Sequence, residues 1–208
     1  MSNTRDKILN SAIVVFAAKG KHGAGMEEIA LHAGVNKAMV YYYFKTKENL
    51  HNEVLKHLIT EIIHRRAEEA GQLKIDPNDP IALVKLFTRT HFTTVSKNGD
   101  MVKIFLTALT SEPETIKKVI DESMEGSDRA VIGGLTQILS RGIAEKKLRN
   151  VNPTQLFLSI LGMNLFFIFG KPMAEAILGL KIEDEELFLE ERLNSIMDLV
   201  LYGIVNRS

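Results

Sequence analysis

Cysteine is absent from the 208 residues. That excludes disulfides, a thiol nucleophile and cysteine-ligated metal sites, and it suits a reducing cytosol. No run approaches the ~20 consecutive apolar residues that span a bilayer. The richest stretch, 156–169, is interrupted by Ser159, Gly162 and Asn164. The apolar run 12–18 keeps amphipathic spacing and is too short for an export signal, so a soluble, cytoplasmic chain without a membrane partner is expected. Alternating strand patterns, hairpin dipeptides between strands and internal repeats are all missing. So are a Gly-rich phosphate loop and a nucleophile with a matched base, which leaves an enzyme as the last choice and no cofactor expected. Net charge is also lacking, with 26 basic against 26 acidic residues. The balance is uneven along the chain: residues 1–57 carry eight Lys/Arg and five Asp/Glu, a surplus of +3, and the remainder carries −3. A mildly basic head on an acidic body fits a head that meets phosphates.

The stretch 25–47 organises what is present. Met26, Ile29 and Ala30 recur at spacings of three and four, which predicts a short helix over about 26–33. Gly34 follows the last periodic residue, where a left-handed backbone ends a helix at little cost. Asn36 is a good N-cap for a second helix, 37–43, that turns Val40 and Phe44 inward and leaves Lys37, Ala38, Tyr41 and Tyr42 outside. Two helices so short need a third wall, and residues 4–19 supply it. Ile8, Leu9, Ala12, Ile13, Val15 and Phe16 form its stripe, and Gly20 is its stop. This is the layout of a DNA-reading helix-turn-helix.

Residues 4–58 resemble the N-terminal domain of the TetR family of bacterial transcription repressors. The resemblance rests on Ile8-Leu9, Phe16-Ala17 and Gly20, then Met26-Glu27-Glu28-Ile29-Ala30 and Ala33-Gly34-Val35-Asn36-Lys37, then Tyr41 through Leu50. Gly25 stands where the family usually has Ser or Thr, Asn36 replaces a usual Ser, and Ala38 replaces a frequent Gly. The resemblance implies base-edge contacts from Lys37, Ala38 and Tyr42. It implies phosphate contacts from Tyr41, Thr46 and Lys47. It also implies a ligand-responsive repressor that binds a palindromic double-stranded operator as a homodimer and is released by a small effector.

The rest of the chain reads as helix throughout. The fold class is all-α: a three-helix DNA-binding domain over 1–47, then a larger helical effector-binding and dimerisation domain over 48–208. A fourth helix, capped by Thr46 and running to about residue 70, is long enough to join head and body as a lever. Asp79-Pro80, Glu112-Pro113 and Asn152-Pro153 each open a helix with proline at its first position. Asp100 is read as the cap of a helix to about 110, and a break is expected near 125–127. Residues 170–180 are read as irregular or a single turn, and 184–204 as the last helix. The helix from 153 to about 169 is apolar around its whole circumference. The last helix has a broad stripe, so both are expected to pair with a second copy.

Apolar and aromatic residues mixed with a few polar ones nominate an effector site: Phe87, His91, Phe92, Met101, Phe105, Met124, Met163, Asn164 and Phe167. Of these, Phe87, His91, Met101, Phe105, Met163, Asn164 and Phe167 are the lead candidates. The mixture suits an apolar or amphipathic molecule. Asn164 and His91 stand out because a polar group among apolar ones needs a partner. Glu53, His57, Glu61 and His64 share one helix face at metal-capable spacing, but the same pattern is an ordinary polar face and no metal is assigned. The alternative function is a DNA-binding module governed by a protein partner or a metal.

Overall fold

The computed structural model describes residues 3–123, 127–179 and 181–206, with the side chains at 66, 70, 127–135, 168 and 169 excepted. Met124 and the side chains at 168–169 therefore lie outside the described residues. Secondary structure is helical, and among the described residues the strand-like pairing is one isolated bridge between Leu148 and Val205.

The chain divides into two compact units, Met1–Glu61 with Asn98–Glu125, and Ile62–Lys97 with Gly126–Ser208. In the first, α1 (Thr4–Gly23), α2 (Met26–His32) and α3 (Lys37–Phe44) build the head, and α4 (Lys47–Gln72) leaves it. The Asn3 side chain caps α1 by accepting from the Arg5 N–H. Gly20 takes φ +67° inside α1, so the regular helix stops where the sequence placed the stop, and one further turn follows to Gly23. Thr46 caps α4, its hydroxyl accepting from the Asn49 N–H at 3.0 Å. The core gathers Ile8, Ala12 and Phe16 of α1, Ile29 of α2, Val40 and Phe44 of α3, and Leu50 and Val54 of α4. Each Ile, Val, Leu or Phe side chain among them contributes about 1.5–3 kcal/mol on burial. Two later helices join the same core: α6 (Gly99–Ser111) packs on α1 through Ile104 and Ala108, and α7 (Pro113–Ser123) adds Ile116 and Val119. Asn98, not Asp100, occupies the cap position of α6, and Asp100 lies in its first turn, where its charge still suits the helix dipole.

The second unit packs α5 (Pro80–Lys97), α8 (Ser127–Ala144), α9 (Pro153–Leu178) and α10 (Glu185–Ile204). Val84, Phe92, Leu139, Leu148, Ile160, Ile196 and Val200 form its core. Asp79, Asn152 and Asp184 cap their helices by accepting backbone N–H groups. Residues 170–178, read from sequence as irregular, continue α9, and Gly179 closes it in the left-handed conformation at φ +63°. Pro172 lacks the N–H that would bond back one turn, and the axis bends by 70° between Pro153–Phe167 and Gly170–Leu178. The helix thus absorbs the proline by bending. Among the described residues no single helix is long and apolar enough to cross a membrane.

Candidate nucleic-acid interface

The turn between α2 and α3 is fixed by two residues. Gly34 takes φ +64°, a region that costs a side chain roughly 1 kcal/mol or more. Its N–H donates to the Leu31 carbonyl, and Val35 donates to Ala30. The side chain of Asn36 then accepts from the Ala38 N–H at 2.9 Å and starts α3. With Val40 and Phe44 anchored in the core, helical spacing leaves the opposite face outside: Tyr41 is 43% and Tyr42 67% exposed, and Lys37 and Ala38 are exposed too.

Of the six candidates, three already have polar partners for their side chains. The Lys37 ammonium pairs with Glu27 of α2 at 3.1 Å, and that hydrogen bond and charge raise its pKa. Lys47 donates from Nζ to the carbonyls of Ala24 (3.0 Å) and His22 (3.2 Å), tying the end of α1 to the start of α4. An ammonium has three N–H donors, so one remains for a phosphate. Thr46 is engaged as a cap. Sequence reasoning missed Lys45, which ends α3 at φ +65° and lays its ammonium 5.3 Å from the centre of the Tyr42 ring. A lysine in a position that favours glycine gives no sequence signal. It also missed Arg5, which pairs with Glu53 and lies 5.2 Å over the Phe44 ring, bracing α3 from behind. No group of three potential metal ligands occurs among the described residues.

The effector candidates fall into two groups. Phe87, His91, Met163 and Asn164 share the second unit. His91 stacks on Phe87 at 5.8 Å, Phe87 meets Phe157 edge to face at 5.1 Å, and Met163 packs on that core. Phe167, one turn on from Asn164, packs on Phe188 at 5.3 Å beside an apolar cavity of about 400 Å³. Met101 and Phe105 belong to the other unit, where Met101 is buried and Phe105 packs against the head core.

A three-helix head with an exposed, capped second helix beyond a glycine turn defines the helix-turn-helix class of DNA-binding regulators. The family described as bacterial regulatory proteins, tetR family, matches residues 8–54, and the tetracyclin repressor-like C-terminal domain matches residues 80–200. The chain belongs to the TetR family and is a ligand-responsive DNA-binding transcriptional regulator. The HTH-type transcriptional regulator RutR of Escherichia coli (strain K12) is 24% identical over 207 residues, covering 98% of this chain and 92% of RutR. The crystal structure of PfmR from Thermus thermophilus superposes with a TM-score of 0.71 at 24% identity, covering 98% of each chain. That of AibR in complex with isovaleryl coenzyme A and operator DNA gives 0.69 at 18%, covering 95% of this chain and 97% of AibR.

Proposed function

We propose that this regulator is a cytoplasmic repressor, acting without a catalytic step, that binds a two-fold operator as a homodimer and is released by an apolar or amphipathic effector. The observation that carries the reading is the exposed face of α3 between two anchors, Val40 and Phe44. Lys37, Ala38 and Tyr42 would reach base edges, while Tyr41, Thr46 and the third N–H of Lys47 would fix the register on phosphates. Exposed apolar residues on α9 and α10, among them Leu158, Phe166, Leu187, Leu199 and Tyr202, support a second copy as their cover. The effector would be held by the second unit, around Phe87, His91, Met163, Asn164 and Phe167. AibR, solved with an acyl thioester of coenzyme A and with operator DNA, supports the pairing of those two ligand classes. Met101 and Phe105 remain candidates from α6, and α4 is the covalent link through which binding would be felt at the head.

Anisotropy titrations of duplexes from the regions flanking its own gene, each at several salt concentrations, test the DNA reading. A site-specific preference over random duplex is expected, and its absence would overturn the proposal. Light scattering should give twice the 23.3 kDa chain mass.

A further inference from the structure

A cavity of about 340 Å³ lies within the unit that holds the head, lined by the end of α1, by His51 of α4 and by α6. Its walls are mostly apolar, made by Phe16, Ala17, Ile104 and Ala108. The charged groups at its edge are already matched. Lys21 bonds Glu112 and Glu48, Lys19 is held by Glu28 at 2.6 Å, and Lys103 lies 3.5 Å from Asp100. Burial alone would lower the Lys21 pKa, but its two carboxylate partners outweigh burial and raise it. No unmet charge in this lining calls for an ion.

Two of its uncharged polar groups present hydrogen-bond acceptors. The hydroxyls of Thr107 and Ser111 donate to carbonyls of their own helix, those of Lys103 and Thr107, leaving their oxygens to accept. The His51 ring is buried edge-on to Phe16 at 5.1 Å, and burial keeps it neutral by lowering its pKa. Its Nδ1 is shielded from water and has no hydrogen-bond partner among the described residues. The volume sits at the small end of ligand sites.

We propose that this cavity takes a small uncharged aromatic molecule carrying one N–H or O–H donor, of the indole or phenol class. The apolar walls and the Phe16–His51 ring pair accept an aromatic face or edge. The hydroxyl oxygens of Thr107 and Ser111 select the donor, and the self-neutralised ion pairs disfavour a charged guest. The site is separate from the effector candidates of the second unit and from the exposed face of α3. Its test reads binding alone, so its failure would leave operator recognition untouched.

The chain contains no tryptophan, so indole emission excited beyond tyrosine absorption reports the guest alone. Full-length protein titrated into indole should give saturable binding below the millimolar range. Benzothiophene, nearly the same shape without the N–H, should compete about fivefold more weakly. Thr107→Phe, at an exposed helix position on the lining, should block binding without unfolding the head. Ser111→Ala removes one of the two hydroxyl acceptors and should narrow the preference for indole over benzothiophene. In the wild-type protein the ring 15N resonances of His51 should move in step with the titration, a readout that needs no variant. Binding that never saturates, unchanged affinity in Thr107→Phe, or His51 resonances that stay still would each overturn the proposal.

Discussion

Asn164 on α9 places its amide nitrogen 3.1 Å from Nδ1 of His91 on α5 and 3.2 Å from the Thr88 carbonyl. All three residues are buried. The carbonyl can only accept, so one amide N–H goes to Thr88 and the other to His91, whose Nδ1 therefore accepts and whose proton sits on Nε2. Protonating the ring would set two donors against each other, and burial lowers the His91 pKa from 6.5 to about 4. A folded pKa below the unfolded one means that the unfolded chain binds the proton first. Stability is therefore retained above the unfolded value of 6.5 and lost as pH falls towards 4, by on the order of 3 kcal/mol over that window. Urea midpoints measured from neutral pH down should drop more steeply for the wild type than for His91→Gln. Parallel pH profiles would contradict this account of the pair.

Gly142 on α8 is where two helices come too close for a side chain. A Cβ there would meet Cγ of Pro80 at 2.7 Å, Cβ of Pro80 at 3.1 Å and Cδ1 of Leu148 at 3.3 Å. The pyrrolidine ring has no rotamer to swing aside. Gly142→Ala, normally favourable in a helix by up to ~1 kcal/mol, is expected instead to destabilise by about 1–3 kcal/mol through overpacking. A thermal melt checks the sign, and an unchanged or raised midpoint would refute the contact.

Gly25 invites the opposite result. It occupies the N-cap of α2 with φ −105° and ψ 140°, an ordinary extended conformation, and no side chain caps the helix. A Cβ there would find its nearest neighbour, Cβ of Glu28, at 4.0 Å. Gly25→Ser adds a hydroxyl acceptor and removes freedom from the unfolded chain, for a gain of roughly 0.5–1 kcal/mol. A loss of stability in denaturant titration would show that the position tolerates nothing larger.

What was legible in the sequence is what depends on neighbours two to four residues away. Asn36 and Thr46 cap the helices assigned to them, and Asn152 starts α9 as read, because a cap needs only its own first turn. The stripe of α1 and the stop at Gly20 are equally local. Less legible was anything decided across the chain. Composition nominated Met101 and Phe105 for an effector site but not the elements they would face; Phe105 packs against the head core, and Met101 is buried in the same unit. Residues 170–180 read from sequence as irregular or a single turn, yet α9 bends and continues to Leu178. At the candidate interface the exposed face of α3 followed from spacing. The partners of Lys37 and Lys47 did not, because both come from other helices.

Glu27 should act as a brake on DNA binding. Its carboxylate, 3.1 Å from the Lys37 ammonium and largely exposed, neutralises a cation on the helix offered to the duplex. A phosphate or a base edge must displace it before Lys37 can make its contact. Replacing Glu27 with Gln keeps the shape, frees the ammonium and removes a charge that repels the backbone. Operator affinity is expected to rise several-fold at low salt, with the slope of log affinity against log salt little changed, because Lys37 is freed for a base edge rather than for a phosphate. The helix loses an acid from its first turn, so a small drop in stability should accompany the gain. A slope steeper by up to ~0.9 would mean that Lys37 neutralises a phosphate instead. Weaker binding would mean that Glu27 positions Lys37 rather than masking it.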